Sequence, residues 1–265
     1  MVRREGSLDT KEPQSMLNTV LVTGAAKRLG RAIALDLAGD GWNVAVHYHG
    51  SEDDADGVTQ AARAFGVEAI ALKCDLSRET EAATLVDRAA KELGPLTALI
   101  NSASLFENDD WRSATRKTWD DHIETNLRAP LLLSQMFAKQ LPDGEHGNIV
   151  NIIDQRVLKP TPQFLSYSIS KAGLYWLTTT LAQGMGPHIR VNAVGPGPTL
   201  RNPRQSEVDF SRQRDATILK RGADPADICQ AVRYLLGAGA VTGQMLAVDG
   251  GQHLIWQTPD VQVGE

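Results

Sequence analysis

Short apolar segments alternate with longer amphipathic segments over most of this 265-residue chain, and few architectures accommodate that order. Several of the short segments are apolar on both faces, as strands of a buried parallel sheet are. Strands are predicted at Thr19–Thr23, Asn43–His47, Glu68–Leu72, Ala98–Asn101, Gly147–Ile152, Ile189–Ala193 and Met245–Val248. Helices are predicted near 29–39, 54–65, 79–92, 118–140, 167–184 and 225–236. The alternation predicts an α/β protein with one doubly wound, seven-stranded parallel sheet and helices on both faces.

Composition and charge limit which partners this protein can bind and which cell compartment suits it. Lysine and arginine number 27 against 32 aspartates and glutamates, without a basic stripe, which argues against a nucleic-acid partner. No apolar run reaches the length of about 18 residues that a transmembrane helix needs, and no secretory signal is recognisable. Two cysteines, Cys74 and Cys229, are too few for a disulfide framework and are typical of a reducing compartment. We therefore expect a cytoplasmic protein without a membrane partner.

The periodic part of the chain predicts one domain at 17–256, between a flexible polar leader at 1–16 and a tail at 257–265. Residues 196–222 interrupt the alternation. They carry six basic residues, which are Arg201, Arg204, Arg212, Arg214, Lys220 and Arg221. An excursion of this length predicts a lid or a binding loop, although a solvated surface excursion fits the same residues.

Two glycines follow the first predicted strand, where the first helix begins. Gly24 suits a tight turn, and Gly30 suits close packing of a helix against a strand. Free N–H groups at the start of that helix would face a pyrophosphate. The segment Thr23–Gly30 therefore predicts a dinucleotide-binding turn, although many strand–helix turns contain similar residues.

The residues near the expected adenosine ribose favour NADP over NAD. NAD sites place a carboxylate at the end of the second strand, but here the first carboxylate in that region is Glu52. Lys27 and Arg28 could pair with a 2′-phosphate, or they could simply be solvated. His47 and His49 lie on one side of the strand, and we expect polar strand-end residues there rather than metal ligands.

Tyr167 and Lys171 lie four residues apart on one predicted helix, so they share a face about one turn apart. An ammonium near a phenol lowers the phenol pKa and makes the tyrosine a usable acid or base. Asp154 follows the fifth predicted strand and Asn101 ends the fourth, at the carboxyl edge where open α/β sheets bind ligands. Asn126 lies inside a predicted helix without a propensity reason, and an exposed polar position is the plain alternative.

The ordered set of these residues resembles the short-chain dehydrogenase/reductase family, from about residue 18 to about residue 254. Further segments that carry the resemblance are Asp75, Gly195-Pro196-Gly197, Thr242-Gly243 and Val248-Asp249-Gly250-Gly251. The resemblance implies a Rossmann-like fold, an oxidoreductase that uses NADP on a small-molecule substrate, and a homotetramer.

The same resemblance implies a role for each matching residue. Tyr167 would donate the proton, Lys171 would bind the nicotinamide ribose and lower the tyrosine pKa, and Asn126 would hold a relay water. Asp75 would contact adenine, and Thr199 would contact the carboxamide of the nicotinamide. Cofactor-binding residues are predicted at Gly24, Lys27, Arg28, Leu29, Gly30, His47, Tyr48, His49, Asp75, Leu76, Asn101, Ser102, Ala103, Tyr167, Lys171, Pro196, Gly197 and Thr199.

Two departures from the family pattern point to one branch of it. Arg28 stands where the usual turn has its middle glycine, and Asp154 replaces the usual active-site serine. Both features resemble the pteridine reductase and dihydromonapterin reductase branch, in which an aromatic residue at the place of Phe106 stacks on the pterin. That branch tends to have arginine where Gly50 stands, which weakens the argument for a 2′-phosphate slightly.

A carboxylate close to Tyr167 would raise the phenol pKa and oppose Lys171. That is a handicap for carbonyl reduction, but an Asp–Tyr pair can deliver a proton to a ring nitrogen. We therefore predict an NADPH-dependent reductase of a dihydropterin, with Asp154, Tyr167, Lys171 and Asn126 as catalytic residues. Substrate-binding residues are predicted at Arg28, Ser104, Phe106, Asp154 and Tyr167.

Two alternatives fit the same fold, because a fold alone does not determine a function. One is a carbonyl reductase that acts on a keto acid, a sugar or an acyl thioester. The other is a nucleotide-sensing binding protein without chemistry, which would have no use for a tuned tyrosine such as Tyr167.

Overall fold

In the part of the chain that the structure describes, residues 18–258 and 261, seven parallel strands form one sheet in the order β3-β2-β1-β4-β5-β6-β7. The structure is a computed structural model. The strands are β1 (Thr19–Val22), β2 (Asn43–Tyr48), β3 (Ala69–Lys73), β4 (Ala98–Asn101), β5 (Gly147–Ile152), β6 (Ile189–Pro196) and β7 (Met245–Val248). The predicted doubly wound parallel sheet is confirmed. The predicted leader lies outside the described residues, as does most of the predicted tail.

Helices connect the strands and cover both faces of the sheet. They are α1 (Arg28–Gly39), α2 (Glu52–Arg63), α3 (Glu79–Leu93), α4 (Arg116–Ile123), α5 (Ala129–Gln140), α6 (Leu165–Met185), α7 (Glu207–Asp215) and α8 (Pro225–Gly237). A π-helical turn, Glu124–Arg128, joins α4 to α5, so the helix predicted at 118–140 is continuous but locally widened by i→i+5 hydrogen bonds. None of the described helices is both long and apolar enough to cross a membrane.

Helix α7 lies inside the predicted lid and was missed by the sequence analysis. Its signals are local: Ser206 caps it by accepting the N–H of Asp209, and acidic residues occupy its first turn. Arginines occupy its last turn. No residue of α7 is buried, so the apolar periodicity that identified the other helices is missing here.

The central strands of the sheet bury both faces, which explains their continuous apolar character. Val20 and Val22 of β1 point to one face and pack in a cluster with Ile33 of α1. Leu21 points to the other face and packs in a cluster with Phe137 of α5. Side chains alternate across a strand, so two helical layers sandwich the sheet.

The sheet reverses its direction of winding at β1, which pairs with β2 on one side and β4 on the other. The connections from these strands leave toward opposite faces and open a crevice at their carboxyl ends. The turn after β1, the segment after β4 and the segment after β5 all start at this edge. Gly24, Asn101 and Asp154, which lie on these three segments, therefore share one edge of the sheet.

Candidate active site

The turn after β1 is tied to the end of β4 by one hydroxyl group. Thr23 Oγ1 accepts the N–H groups of Ser102 at 2.9 Å and Ala103 at 3.0 Å. Gly24 has a φ of +64°, and a Cβ there would lie 2.8 Å from Ala103 Cα. Glycine is therefore required at this position for both its backbone conformation and its close approach.

The start of α1 leaves N–H groups free for an anion. A Cβ on Gly30 would lie 2.2 Å from the Gly24 carbonyl oxygen, so the helix packs directly on the turn. The N-cap residue Lys27 makes no side-chain cap, and no acidic residue occupies the first turn. Arg28 follows in the left-handed region with a φ of 54°. Unpaired amides and two basic residues suit the pyrophosphate of a dinucleotide.

His47, near the end of β2, holds the Gly24 amide of this turn in place. Its Nδ1 accepts the Gly24 N–H at 2.9 Å, and its Nε2 lies 3.1 Å from the Cys74 carbonyl oxygen, so the proton is on Nε2. The side chain is buried, and burial lowers its pKa to about 4. Both ring nitrogens are occupied by the protein. The ring therefore has no free nitrogen for a dinucleotide, and its effect on the turn is to orient the Gly24 amide.

The basic residues of the turn have partners of different kinds. Lys27 forms an exposed ion pair with Asp54 at 2.9 Å. Arg28 donates to the carbonyl oxygens of Leu200 at 3.0 Å and Arg201 at 2.9 Å, and burial lowers its pKa. The Arg28 guanidinium thus connects the turn to the predicted lid.

A second polar group lies at the carboxyl edge after β3. Although burial opposes it, hydrogen bonds from Ser77 lower the pKa of Asp75. His49 lies 3.8 Å from the Asp75 carboxylate. The neighbouring Leu76 and Tyr48 are buried. Asp75 is therefore an ionised acceptor at the place predicted for adenine contact.

Further along this edge, Thr199 is buried and donates to the Gly197 carbonyl oxygen at 3.1 Å. A Cβ on Gly197 would lie 2.6 Å from Asp249 Cα. The segment after β6 therefore packs tightly against the segment after β7.

Asp154 and Tyr167 form a direct pair. The tyrosine O–H donates to Asp154 Oδ2 at 2.8 Å, and Asp154 Oδ1 accepts the N–H of Arg156 at 2.8 Å. Burial and the adjacent carboxylate raise the pKa of Tyr167 well above its usual value. Burial also raises the pKa of Asp154. At neutral pH the phenol therefore keeps its proton and donates it to the carboxylate in this hydrogen bond.

Lys171 lies beside this pair, one helical turn along α6. Its Nζ donates to the Ile152 carbonyl oxygen at 2.9 Å and lies 5.9 Å from the centre of the Tyr167 ring. Burial lowers the Lys171 pKa to about 8. The cation that lowers the Tyr167 pKa here is Arg156, which the sequence analysis did not single out.

Asn126 lies in the π-helical turn and is fully buried. Its Oδ1 accepts the Leu105 N–H at 2.8 Å, and its Nδ2 donates to Leu105 O and Ser170 Oγ, each at 3.0 Å. The amide is therefore engaged by protein partners at both ends. It ties the segment after β4 to α6, and π-helical turns of this kind are frequent at functional sites.

An aromatic cluster closes the crevice. Phe106 stacks on Phe164 with ring centres 4.4 Å apart, and it meets the Tyr167 ring edge-on at 4.6 Å. The Arg156 guanidinium lies 4.8 Å from the centre of the Phe164 ring. Ser104 is exposed and donates to the neighbouring Leu105 carbonyl oxygen. Phe164 and Arg156 were missed because no local pattern marks an aromatic or cationic wall.

Sequence and structure comparisons place this geometry among known proteins. The model of the short chain dehydrogenase family matches residues 18–210. A curated 3-oxoacyl-(acyl-carrier-protein) reductase of Staphylococcus epidermidis is 32% identical over 244 residues, which cover 90% of this chain and all of that protein.

Two solved structures are similar over most of their length. FolM alternative dihydrofolate reductase 1 from Brucella suis, in complex with NADP, has a TM-score of 0.89 and 43% identity, and covers 92% of this chain and 98% of its own. The angucycline C-6 ketoreductase LanV with bound NADP has a TM-score of 0.83 and 28% identity, and covers 90% of this chain and 96% of its own. With its dinucleotide-type turn and its Tyr167–Lys171 pair, this chain belongs to the short-chain dehydrogenase family.

Proposed function

We propose that this protein is an NADPH-dependent reductase of a dihydropterin. The observation that carries the proposal is the hydrogen bond between Tyr167 and Asp154, where the family usually has serine. The Brucella suis relative is called an alternative dihydrofolate reductase, and its 43% identity exceeds the 32% of the acyl-carrier-protein reductase. Dihydrofolate is itself a dihydropterin.

The choice of NADP is supported by the basic turn and by the solved relatives that carry this cofactor. The free amides at the start of α1 suit the pyrophosphate, and the exposed Arg28, which also donates to two lid carbonyl groups, would reach the 2′-phosphate or the substrate. Asp75 would accept from adenine, Thr199 would meet the carboxamide, and Lys171 would hold the nicotinamide ribose.

Reduction of a ring C=N bond adds a hydride to carbon and a proton to nitrogen. When bound, NADPH supplies the hydride. Tyr167 donates its phenolic proton to the ring nitrogen, and Arg156 nearby stabilises the negative charge left on the oxygen. The raised pKa of Asp154 makes this carboxylate a suitable relay for a replacement proton from solvent.

Phe106 supplies a flat surface for the substrate ring next to the proton donor. Aromatic rings prefer offset stacking on other flat rings, and a pterin offers a large one. Asp154 would orient the ring by accepting one of its N–H groups. A simple ketone has neither a large flat face nor a donor for this carboxylate.

The first test follows NADPH absorbance with 7,8-dihydrobiopterin, dihydromonapterin, several ketones and a β-ketoacyl thioester. Dihydropterin turnover well above ketone turnover is the expected result. Turnover of ketones alone would refute the substrate proposal and would leave the fold and the role of Tyr167 in place.

Asp154 is tested by D154A and D154N, with D120N as the matched control, because Asp120 of α4 is half-buried and pairs with Arg116 within its own helix. Both Asp154 variants should lower dihydropterin turnover by at least about 100-fold, because they remove the partner of the proton donor. D120N should leave it unchanged. Cofactor binding, measured by NADPH fluorescence, should stay within about twofold of wild type. Near wild-type turnover in D154N would remove Asp154 from the mechanism.

The second candidate is a ketone reductase, and the whole-length match to the acyl-carrier-protein reductase favours it. It predicts that the β-ketoacyl thioester is turned over fastest. It also predicts that D154S, which restores the family's usual residue, is at least as active on that thioester as the wild type.

A further inference from the structure

A buried series of hydrogen-bonded side chains connects the segment after β4 to the start of α6. It is separate from the Asp154–Tyr167 pair. Its members are Asp109, His122 and Ser166, and none of them is more than 2% exposed. His122 Nδ1 lies 2.7 Å from Ser166 Oγ, and Ser166 Oγ donates to Asp109 Oδ2. Three polar side chains at this depth are costly unless each is satisfied.

The hydrogen bonds determine the tautomer of His122. The Glu107 N–H donates to Nε2 at 3.1 Å, so Nε2 carries no proton. Nδ1 must therefore hold the proton and donate it to Ser166, whose own hydroxyl donates to Asp109. Burial lowers the His122 pKa, in agreement with a neutral ring. Every donor along this line meets an acceptor.

The hydrogen-bonded series passes next to both ring systems of the site, because it begins at the Glu107 N–H and runs through Ser166. Glu107 directly follows Phe106, and Ser166 directly precedes Tyr167. Asp109 Oδ1 also accepts the Ser166 N–H at 3.0 Å, so its carboxylate caps the first turn of α6. The hydrogen-bonded series thus connects the backbone beside the Phe106 ring to the backbone beside the Tyr167 ring.

A strained residue lies at the same junction. Phe164 has a φ of 57°, a left-handed conformation that is strained for a residue with a bulky side chain. Its N–H donates to Asn108 Oδ1 at 3.3 Å, and the Leu165 N–H donates to Asp109 O at 3.1 Å. These contacts hold the Phe164 ring face to face on Phe106.

We propose that His122, Ser166 and Asp109 position Phe106 against Tyr167 and thereby determine the affinity for the substrate ring. They are positioning residues, because they are buried behind the rings. The identity of the substrate rests on the proposed function, but the positioning role does not. Displacing a stacking surface by about 1 Å is enough to weaken productive binding strongly.

The first comparison is S166A against S134A. Ser134 is also fully buried, but its hydroxyl donates only to Pro130 O within its own helix, at 2.6 Å. S166A should raise the KM for dihydropterin at least about tenfold, because it removes the hydroxyl that links His122 to Asp109. S134A should leave the KM unchanged. Both variants should bind NADPH as tightly as the wild type, since the turn after β1 is untouched.

The second comparison separates the two ends of His122. Asparagine places its amide near Nδ1 and can keep the bond to Ser166, whereas glutamine reaches toward Nε2 and can keep the bond to the Glu107 N–H. If His122 acts as a bridge, H122N and H122Q should both raise the KM, because each variant keeps only one of the two hydrogen bonds of His122. If it only fills space, both should show a wild-type KM and a lowered melting temperature.

The geometry is checked directly by a crystal structure of S166A, or of H122Q if S166A does not fold. The proposal expects the Phe106–Tyr167 ring contact to open beyond 4.6 Å or to become disordered. An unchanged contact, with unchanged KM values, would overturn it. If the wild type reduces a ketone and no dihydropterin, the proposed function fails, and the same KM comparison with that ketone decides the positioning role.

Discussion

At the scale of single residues, Asp154 changes what Tyr167 does. With Asp154 as its acceptor, the phenol holds its proton firmly, and the nearby cation that lowers its pKa is Arg156. Lys171 is turned toward the Ile152 carbonyl oxygen. The spacing of Tyr167 and Lys171 predicts their shared face correctly, but the balance of charge around the phenol depends on a residue that only folding brings near.

His47 provides a prediction at the same scale. Its pKa is about 4 in the folded protein, against about 6.5 in an unfolded chain, so the unfolded chain takes up the proton first as pH falls. The contribution of neutral His47 to the free energy of unfolding is complete above pH 6.5 and is lost as the pH falls toward 4. Between pH 7.5 and 5.0, His47 should cost the wild type about 2 kcal/mol of unfolding free energy.

Urea unfolding at these two pH values measures the effect. H47Q should be less stable than the wild type at pH 7.5, because the Gly24 amide and the Cys74 carbonyl lose a well-placed partner. Its stability should nevertheless depend less on pH, because glutamine does not titrate. Equal pH dependence in the two proteins would contradict the assignment of the acid sensitivity to His47.

At the scale of elements, the middle of the predicted lid is held by a few polar contacts, whereas Thr199 and Thr217 on either side of it are buried. Arg204 pairs with Glu107 and donates to the Phe106 carbonyl oxygen, and Arg28 donates to two lid carbonyl groups. Helix α7 buries none of its residues. Exposed ion pairs contribute about 1 kcal/mol or less, so we expect this middle part of the predicted lid to open for the substrate.

The lid contact predicts the behaviour of R204Q. Losing it should raise the KM for substrate several-fold and speed proteolysis within 200–222, with a loss of less than about 1 kcal/mol in global stability. R212Q is the matched control, because among the residues that the structure describes Arg212 pairs only with Asp209 inside α7, at 3.9 Å. Equal cleavage rates and KM values in R204Q, R212Q and the wild type would show that Arg204 does not hold the lid.

The helix that contains Asn126 shows why element boundaries are only partly predictable. Apolar periodicity predicts one helix at 118–140, and one continuous helix is present. The π-helical turn inside it has no sequence signal that the periodicity could reveal. Within this turn Asn126 meets Leu105 and Ser170, which arrive from other parts of the chain.

At the scale of the whole molecule, the outer surface of α5 and α6 carries an apolar groove. Leu127, Leu131 and Leu177 line it, and Trp176 lies at the groove with 73% of its surface exposed. Large exposed apolar patches on proteins commonly mark interfaces. We propose that the protein is a homotetramer that uses this surface, as the sequence resemblance implies.

Light scattering on W176D tests this proposal. The wild type should show four times the mass of one chain, and W176D should show a smaller species, because a charge would be buried in the interface. W111D is the matched control, since Trp111 is 71% exposed on a different segment. Identical masses for W176D and the wild type would place the interface elsewhere, and a monomeric wild type would refute the tetramer.

The sequence by itself determined the parallel sheet, most of the helices and the Tyr167–Lys171 face. These features follow from periodicity and from spacings of a few residues, which local backbone geometry converts directly into structure. The positions of Asp154, Asn101 and Gly24 at one edge also follow, because the carboxyl ends of parallel strands share that edge.

Only the tertiary structure decided how these residues meet. The bonds of Ser166 to His122 and Asp109 join positions 44 and 57 residues apart, and no local pattern encodes them. The stack of Phe106 on Phe164 likewise depends on the packing of two separate segments. Side chains of this kind are paired by the shape of the assembled core and the need to satisfy each buried donor, and both exist only after the chain has folded.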